Sequence, residues 1–155
     1  MEAFSYQLWF AVRYVHVASV TVLTGGAFML CALSTSRASG SLNSVLDAAT
    51  LYEWVFWSGV GVTVATGISN LGLKGEGLLG PTTNWGTALS VKLGVVLLLL
   101  ALSVVRTDFV IRLNAAGRTE PAGRVSSILS ILYGVTVVVL LGPLWMGLGL
   151  AHGRY

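Results

Sequence analysis

Apolar residues along this chain form four long stretches separated by three polar connections. The stretches cover about residues 8–33, 51–73, 87–105 and 125–151. Each is close to the ~20 residues that an α-helix needs to cross the ~30 Å hydrocarbon layer of a bilayer. The pattern therefore predicts an all-α fold, an integral membrane bundle of four transmembrane helices that forms a single domain over residues 1–155.

Basic residues are distributed unequally among the connections. The first and third connections hold Arg37, Arg106, Arg112, Arg118 and Arg124, whereas the second connection and the two ends hold Lys74 and Arg154. Cytoplasmic loops of membrane proteins are enriched in Lys and Arg. We therefore expect a multi-pass protein of the cell's inner or plasma membrane, with both termini outside the cytoplasm.

The composition supports a membrane protein and excludes several other classes. Hydrophobic residues make up 55% of the chain, charged residues only 10%, and the mean hydropathy is +0.82. A soluble domain carries roughly a quarter charged residues. The net charge of +3 is explained by the arginines of the connections, so nucleic acid is not an expected partner. A single cysteine, Cys31, excludes an intrachain disulfide and a thiolate metal cage.

Polar and metal-ligating residues recur at one predicted depth, in the outer half of the bundle. With the predicted topology, His16 lies ~12 Å from the outer face, Lys92 ~10 Å and Met146 ~9 Å, at 1.5 Å per helical residue. Ser69 and Asn70 close the second helix on the same side. An ionisable residue inside a membrane helix indicates a functional site by default. This layer is therefore the candidate site.

His16 has three possible roles in this layer. Imidazole is a ligand of haem iron and of copper, and it also forms hydrogen bonds between membrane helices. Arg13 lies one turn further out on the same face. Its guanidinium can bind a porphyrin propionate through two hydrogen bonds, or it can extend to the lipid headgroups.

Lys92 lacks an obvious partner in the sequence. A lysine within a membrane is normally paired or faces a polar cavity. Glu53 lies at the opposite end of the second helix, where we expect it at the membrane interface beside Tyr52, Trp54 and Trp57, and Glu76 lies in the second connection. A carboxylate of a bound cofactor or substrate would supply the missing negative charge.

Met146 and His152 are the candidates for completing a metal site. Met146 has the more suitable depth, although methionine is more often a packing residue. His152 lies at the predicted membrane edge, so that ligation together with His16 requires a tilted or deeper fourth helix. The chain has no Cys-x-x-Cys-His motif, and any haem would therefore be a non-covalent haem b.

Two segments resemble known membrane protein families. Arg13-x-x-His16 followed by Gly25-Gly26 resembles the first helix of the copper resistance protein D (CopD) family and of the HemJ-type protoporphyrinogen oxidases. Residues 85–100, with Lys92 before a leucine-rich run, resemble the third helix of both families. The resemblance covers helices one to three. It implies that His16 and Lys92 match functional residues of the oxidase family.

These observations predict a haem b-binding redox or electron-transfer subunit of the CopD/HemJ type. As an enzyme it would be a haem-dependent oxidoreductase, and its expected partners are the lipid bilayer and either other membrane-complex subunits or further copies of itself. The predicted cofactor residues are His16, Arg13 and Lys92, and the predicted metal ligands are His16, Met146 and His152. The alternatives are a copper transport or resistance protein and a structural accessory subunit without a cofactor.

Overall fold

The computed structural model of the chain describes residues 2–36, 42–73, 84–115 and 121–151. These residues form four helices: α1 (Glu2–Thr35), α2 (Leu42–Leu73), α3 (Asn84–Ala115) and α4 (Ala122–Ala151). The prediction of an all-α fold with four helices is confirmed.

All four helices are longer than predicted, and the largest extensions, in α2 and α3, bury apolar side chains. The predicted start of α2 at residue 51 is corrected to Leu42, and the added turns bury Val45, Leu46 and Ala49. The predicted end of α3 at residue 105 is corrected to Ala115, and this extension buries Val110 and Leu113. Polar residues interrupt both segments, but the apolar ones recur on one helical face, which is sufficient for packing. α1 and α4 likewise begin a few residues earlier than predicted.

Three helices contain segments that are long and apolar enough to cross a membrane. These are Tyr6–Thr35 in α1, Gly86–Ala115 in α3 and Gly123–Gly147 in α4. α2 is not a clear span, because Glu53 and many Gly, Ser and Thr residues dilute its apolar positions. Large apolar side chains on the outer surface, such as Leu97 and Val138, suit contact with lipid.

The four helices run antiparallel to their neighbours. α1 packs mainly against α2 and α4, and α3 packs mainly against α4, with fewer contacts to α2. Gly26 permits the close approach of α1 and α2, since a Cβ at this position would lie 2.5 Å from the Tyr52 ring. The Tyr52 hydroxyl donates a hydrogen bond to the Leu23 carbonyl across the same crossing (2.7 Å).

The bundle divides into two halves of different packing. We call residues 23–36, 42–58, 99–115 and 121–140 the closed half, and residues 6–22, 59–70, 86–98 and 141–147 the open half. The closed half contains every buried apolar side chain of the described residues except Ala88. In the open half, the described side chains other than Ala88 are half-buried or exposed. The hydrophobic core thus occupies one end of the bundle.

Candidate functional site

His16 lies in the open half and joins α1 to α2. Its Nδ1 atom lies 2.9 Å from Thr66 Oγ1 and 3.1 Å from the Thr63 carbonyl oxygen. The interhelical hydrogen bond considered from the sequence is therefore present. No described residue forms a hydrogen bond with Nε2. Gly67 lies beside the ring, and a Cβ on Gly67 would come within 3.5 Å of His16 Cε1.

Lys92 approaches the same region from α3. Its ammonium is near enough to the His16 ring for an electrostatic interaction between them. Gly147 of α4 adjoins it, because a Cβ there would lie 3.5 Å from Lys92 Nζ. The ion pairs of the described residues, Glu53–Arg106 and Arg112–Asp108, leave Lys92 without a carboxylate partner among those residues. All four helices thus contribute residues to the surroundings of His16 and Lys92.

The other three predicted residues are placed differently. Met146 is half-buried and directly precedes Gly147. Arg13 is exposed, and its guanidinium stacks over the Trp9 ring of its own helix, 5.2 Å from the ring centroid. His152 lies outside the described residues. The described residues contain no group of three or more His, Cys, Asp or Glu side chains that could hold a metal ion.

A second polar cluster, which the sequence pattern did not predict, lies in the closed half. Glu53, expected at the membrane interface, is 5% exposed, and Arg106, assigned to a connection, is 1% exposed. Arg106 Nε and Nη2 donate hydrogen bonds to Glu53 Oε1 and Oε2, at 2.8 and 3.0 Å. Both positions are corrected here. The two residues form a buried ion pair between α2 and α3.

The remaining hydrogen bonds of this ion pair come from α3 and α4. Tyr133 donates to Glu53 Oε1 (2.8 Å), and Thr107 donates to Glu53 Oε2 (2.6 Å). Arg106 Nη1 donates to Thr136 Oγ1 (2.8 Å). Each carboxylate oxygen of Glu53 therefore accepts two hydrogen bonds. We call Glu53, Arg106, Thr107, Tyr133 and Thr136 the acid–base cluster.

Aromatic rings enclose the guanidinium of the acid–base cluster. The Arg106 Cζ atom lies 4.3 Å from the Phe56 ring centroid, 5.2 Å from that of Tyr133 and 5.4 Å from that of Tyr52. Cation–π attraction of this kind partly replaces the lost hydration of the charge. With its carboxylate saturated and its guanidinium enclosed, the cluster has little capacity for a further ligand.

The two polar sites therefore differ in what they can bind. The open half presents an imidazole nitrogen and an ammonium that lack hydrogen-bonding partners among the described residues, with glycines beside both groups. Imidazole is a metal ligand and an ammonium pairs with carboxylates, so these donors fit a metal cofactor that carries carboxylate groups. The acid–base cluster is an internal structural contact.

Comparison of the chain with protein-family models gives no match. No curated protein and no solved structure matches the chain either. The resemblance to the CopD and HemJ-type families therefore depends only on the segments around His16 and Lys92.

Proposed function

We propose that this protein is a membrane-embedded bundle of four spanning helices, α2 included, that binds haem b in its open half. It would serve as a redox or electron-transfer subunit of a larger membrane complex. The observation that carries this proposal is that His16 Nε2 and the Lys92 ammonium, both in the open half, have no hydrogen-bonding or ion-pair partner among the described residues. Haem b would supply one-electron chemistry, and the chain would supply its ligand and its charge partners.

The side chains of the open half have defined tasks in this proposal. His16 Nε2 would ligate the iron, since no described residue occupies this atom. Lys92 would pair with one propionate, which neutralises an ammonium that is costly within a membrane. Arg13 is exposed and forms no ion pair with the described carboxylates, so it is available for the second propionate. Met146 and His152 remain the candidates for a second axial ligand.

The arrangement in the membrane is part of the same proposal. Removing the buried Arg106 from the loop arginines leaves Arg37, Arg112, Arg118 and Arg124 against Lys74 and Arg154. This excess still favours a cytoplasmic location for the first and third connections. The open half would then face outward. A reporter fused after Tyr155 should behave as exported, and a cytoplasmic reporter signal would reverse the orientation.

The two alternatives have weaker support. Copper transport favours several soft ligands along one path. Cys31 lies in the closed half with its Sγ directed at the Ser130 carbonyl (3.5 Å), and Met29 is 62% exposed in the same half. A structural accessory subunit accounts for the bond between His16 and Thr66 but leaves Lys92 without a function.

The deciding experiment is the absorption spectrum of the purified protein, with and without added haem. The proposal predicts a Soret band and reducible α and β bands, and strong loss of haem in His16→Ala. His152→Ala should lose less haem, because His152 lies at the predicted membrane edge, and equal loss in the two variants would favour ligation of the iron by both histidines. Full haem retention in His16→Ala contradicts the assignment. Bound copper without haem favours the transport alternative. Absence of both haem and copper favours the structural alternative.

A further inference from the structure

The hydrogen bonds of Thr66 determine what this hydroxyl offers to His16. The Thr66 Oγ1 atom lies 2.7 Å from the Val62 carbonyl oxygen and 3.2 Å from the Thr63 carbonyl oxygen. A hydroxyl has one proton, and a carbonyl oxygen can only accept. Thr66 therefore donates its proton to its own helix backbone, and its lone pairs face His16 Nδ1.

Both partners of His16 Nδ1 are consequently acceptors. The Thr63 carbonyl oxygen accepts by its nature, and Thr66 Oγ1 accepts because its proton is already donated. Because both partners accept a hydrogen bond, Nδ1 must carry the proton that is donated to them. A neutral imidazole that is protonated at Nδ1 carries its lone pair on Nε2.

We infer that Thr66 is a positioning residue that holds His16 in the Nδ1-protonated form and directs the Nε2 lone pair into the open half. Metal-ligating histidines usually donate their other ring N–H to an acceptor, which fixes the ring and raises the basicity of the ligating nitrogen. The identity of the ligand rests on the proposed function. Which ring nitrogen carries the proton does not depend on the proposed function, and it can be measured without haem.

The matched variants lie within one turn of α2. Thr66→Val removes the acceptor and keeps the side-chain shape, and Thr66→Ser keeps the hydroxyl. Thr63→Val is the control, because it keeps the backbone carbonyl that faces His16. Its removed hydroxyl, Thr63 Oγ1, is buried and has no hydrogen-bond partner among the described residues.

The first measurement is ¹⁵N NMR of histidine-labelled, haem-free protein in lipid nanodiscs. A chain with two histidines gives few signals, and His16→Ala assigns them. The wild type, Thr63→Val and Thr66→Ser should show His16 protonated at Nδ1. Thr66→Val should show an added population protonated at Nε2. A wild-type His16 that is protonated at Nε2 overturns the inference.

The second measurement is haem affinity together with the midpoint potential. Thr66→Val should weaken haem binding about tenfold and raise the potential, because a less basic imidazole stabilises oxidised iron less well. Thr66→Ser should restore both values, and Thr63→Val should leave both unchanged. Equal values for Thr66→Val and Thr63→Val overturn the inference. Absence of haem binding by the wild type instead contradicts the proposed function, while the NMR result still decides the tautomer.

Discussion

The two halves of this bundle differ in how their charged side chains are paired. In the closed half, Glu53 and Arg106 face each other at 2.8 Å, and both carboxylate oxygens are saturated by hydrogen bonds. In the open half, Lys92 has no carboxylate among the described residues, and His16 uses only one of its ring nitrogens.

The difference indicates which half contains a charged side chain without a counter-charge among the described residues. A charge in a membrane is tolerated when it is paired or faces a polar cavity. The acid–base cluster meets this condition with residues of α2, α3 and α4. Lys92 has no such partner among the described residues, and its side chain is only half-buried. The closed half thus contains both the buried apolar core and the paired charges, whereas the described residues of the open half have neither.

Breaking the ion pair of the closed half should have the largest effect. Glu53→Gln leaves the Arg106 guanidinium buried without a counter-charge, which costs about 3–5 kcal/mol of unfolding free energy. The double variant Glu53→Leu/Arg106→Met should recover most of this loss, since replacing a whole buried pair by apolar residues is nearly neutral. Reversible unfolding in mixed detergent micelles measures both.

The exposed ion pair of α3 is the control for this experiment. Arg112 and Asp108 lie one turn apart, with side chains that are 78% and 56% exposed. Asp108→Asn should change stability by no more than about 0.5 kcal/mol. If Glu53→Gln cost as little as Asp108→Asn, the acid–base cluster would not be the buried contact described above.

Lys92 should respond in the opposite direction. Lys92→Met removes an ammonium that has no counter-charge in the described residues, so the ligand-free protein should be as stable as the wild type or more stable. Haem binding should weaken, and the midpoint potential should fall, because loss of a nearby positive charge favours oxidised iron. Lys92→Arg keeps the charge and should retain both properties. Destabilisation by Lys92→Met to the extent seen for Glu53→Gln would reveal a partner of Lys92 within the bundle.

The sequence predicted that His16 and Lys92 share one half of the bundle, but it did not predict the ion pair of the closed half. His16 and Lys92 stand out because each interrupts a long apolar stretch. Their similar predicted depth from the outer membrane face placed them in one layer. Arg106 falls outside the predicted third helix because a charged residue ends the apolar stretch at this position. The buried residues Leu99, Ser103, Arg106, Val110 and Leu113 nevertheless follow alternating spacings of four and three, which is the helical period.

Predicting the contact between Glu53 and Arg106 requires the correct ends of α2 and α3. With α2 beginning at residue 51, Glu53 falls at the membrane interface, whereas a start at Leu42 places it three turns inside the helix. The extension of α3 to Ala115 moves Arg106 inward in the same way. Tertiary packing of short amphipathic segments determines these ends, and average hydropathy does not detect it.

Removing one hydrogen bond from the acid–base cluster should have an intermediate effect. Tyr133→Phe deletes the bond to Glu53 Oε1 and keeps the ring over Arg106, so we expect a loss of about 1.5–3 kcal/mol, as for hydrogen bonds to charged groups. Tyr14→Phe is the control, because Tyr14 is 68% exposed in the open half. Equal stability of the two variants would show that Glu53 does not need Tyr133.

The smallest effect is expected for Ser103, whose hydroxyl lies one turn from Arg106. This residue is 1% exposed, and its Oγ atom has no hydrogen-bond partner among the described residues. Ser103→Ala should therefore leave the unfolding free energy unchanged or raise it by up to about 1 kcal/mol, since an unsatisfied buried hydroxyl is itself a cost. Thr136→Val is the comparison, because it removes the acceptor of Arg106 Nη1 and should destabilise the protein. A clear loss of stability in Ser103→Ala would mean that a water molecule or ligand binds this hydroxyl, and the closed half would then share the dependence on an external partner that we assign to the open half.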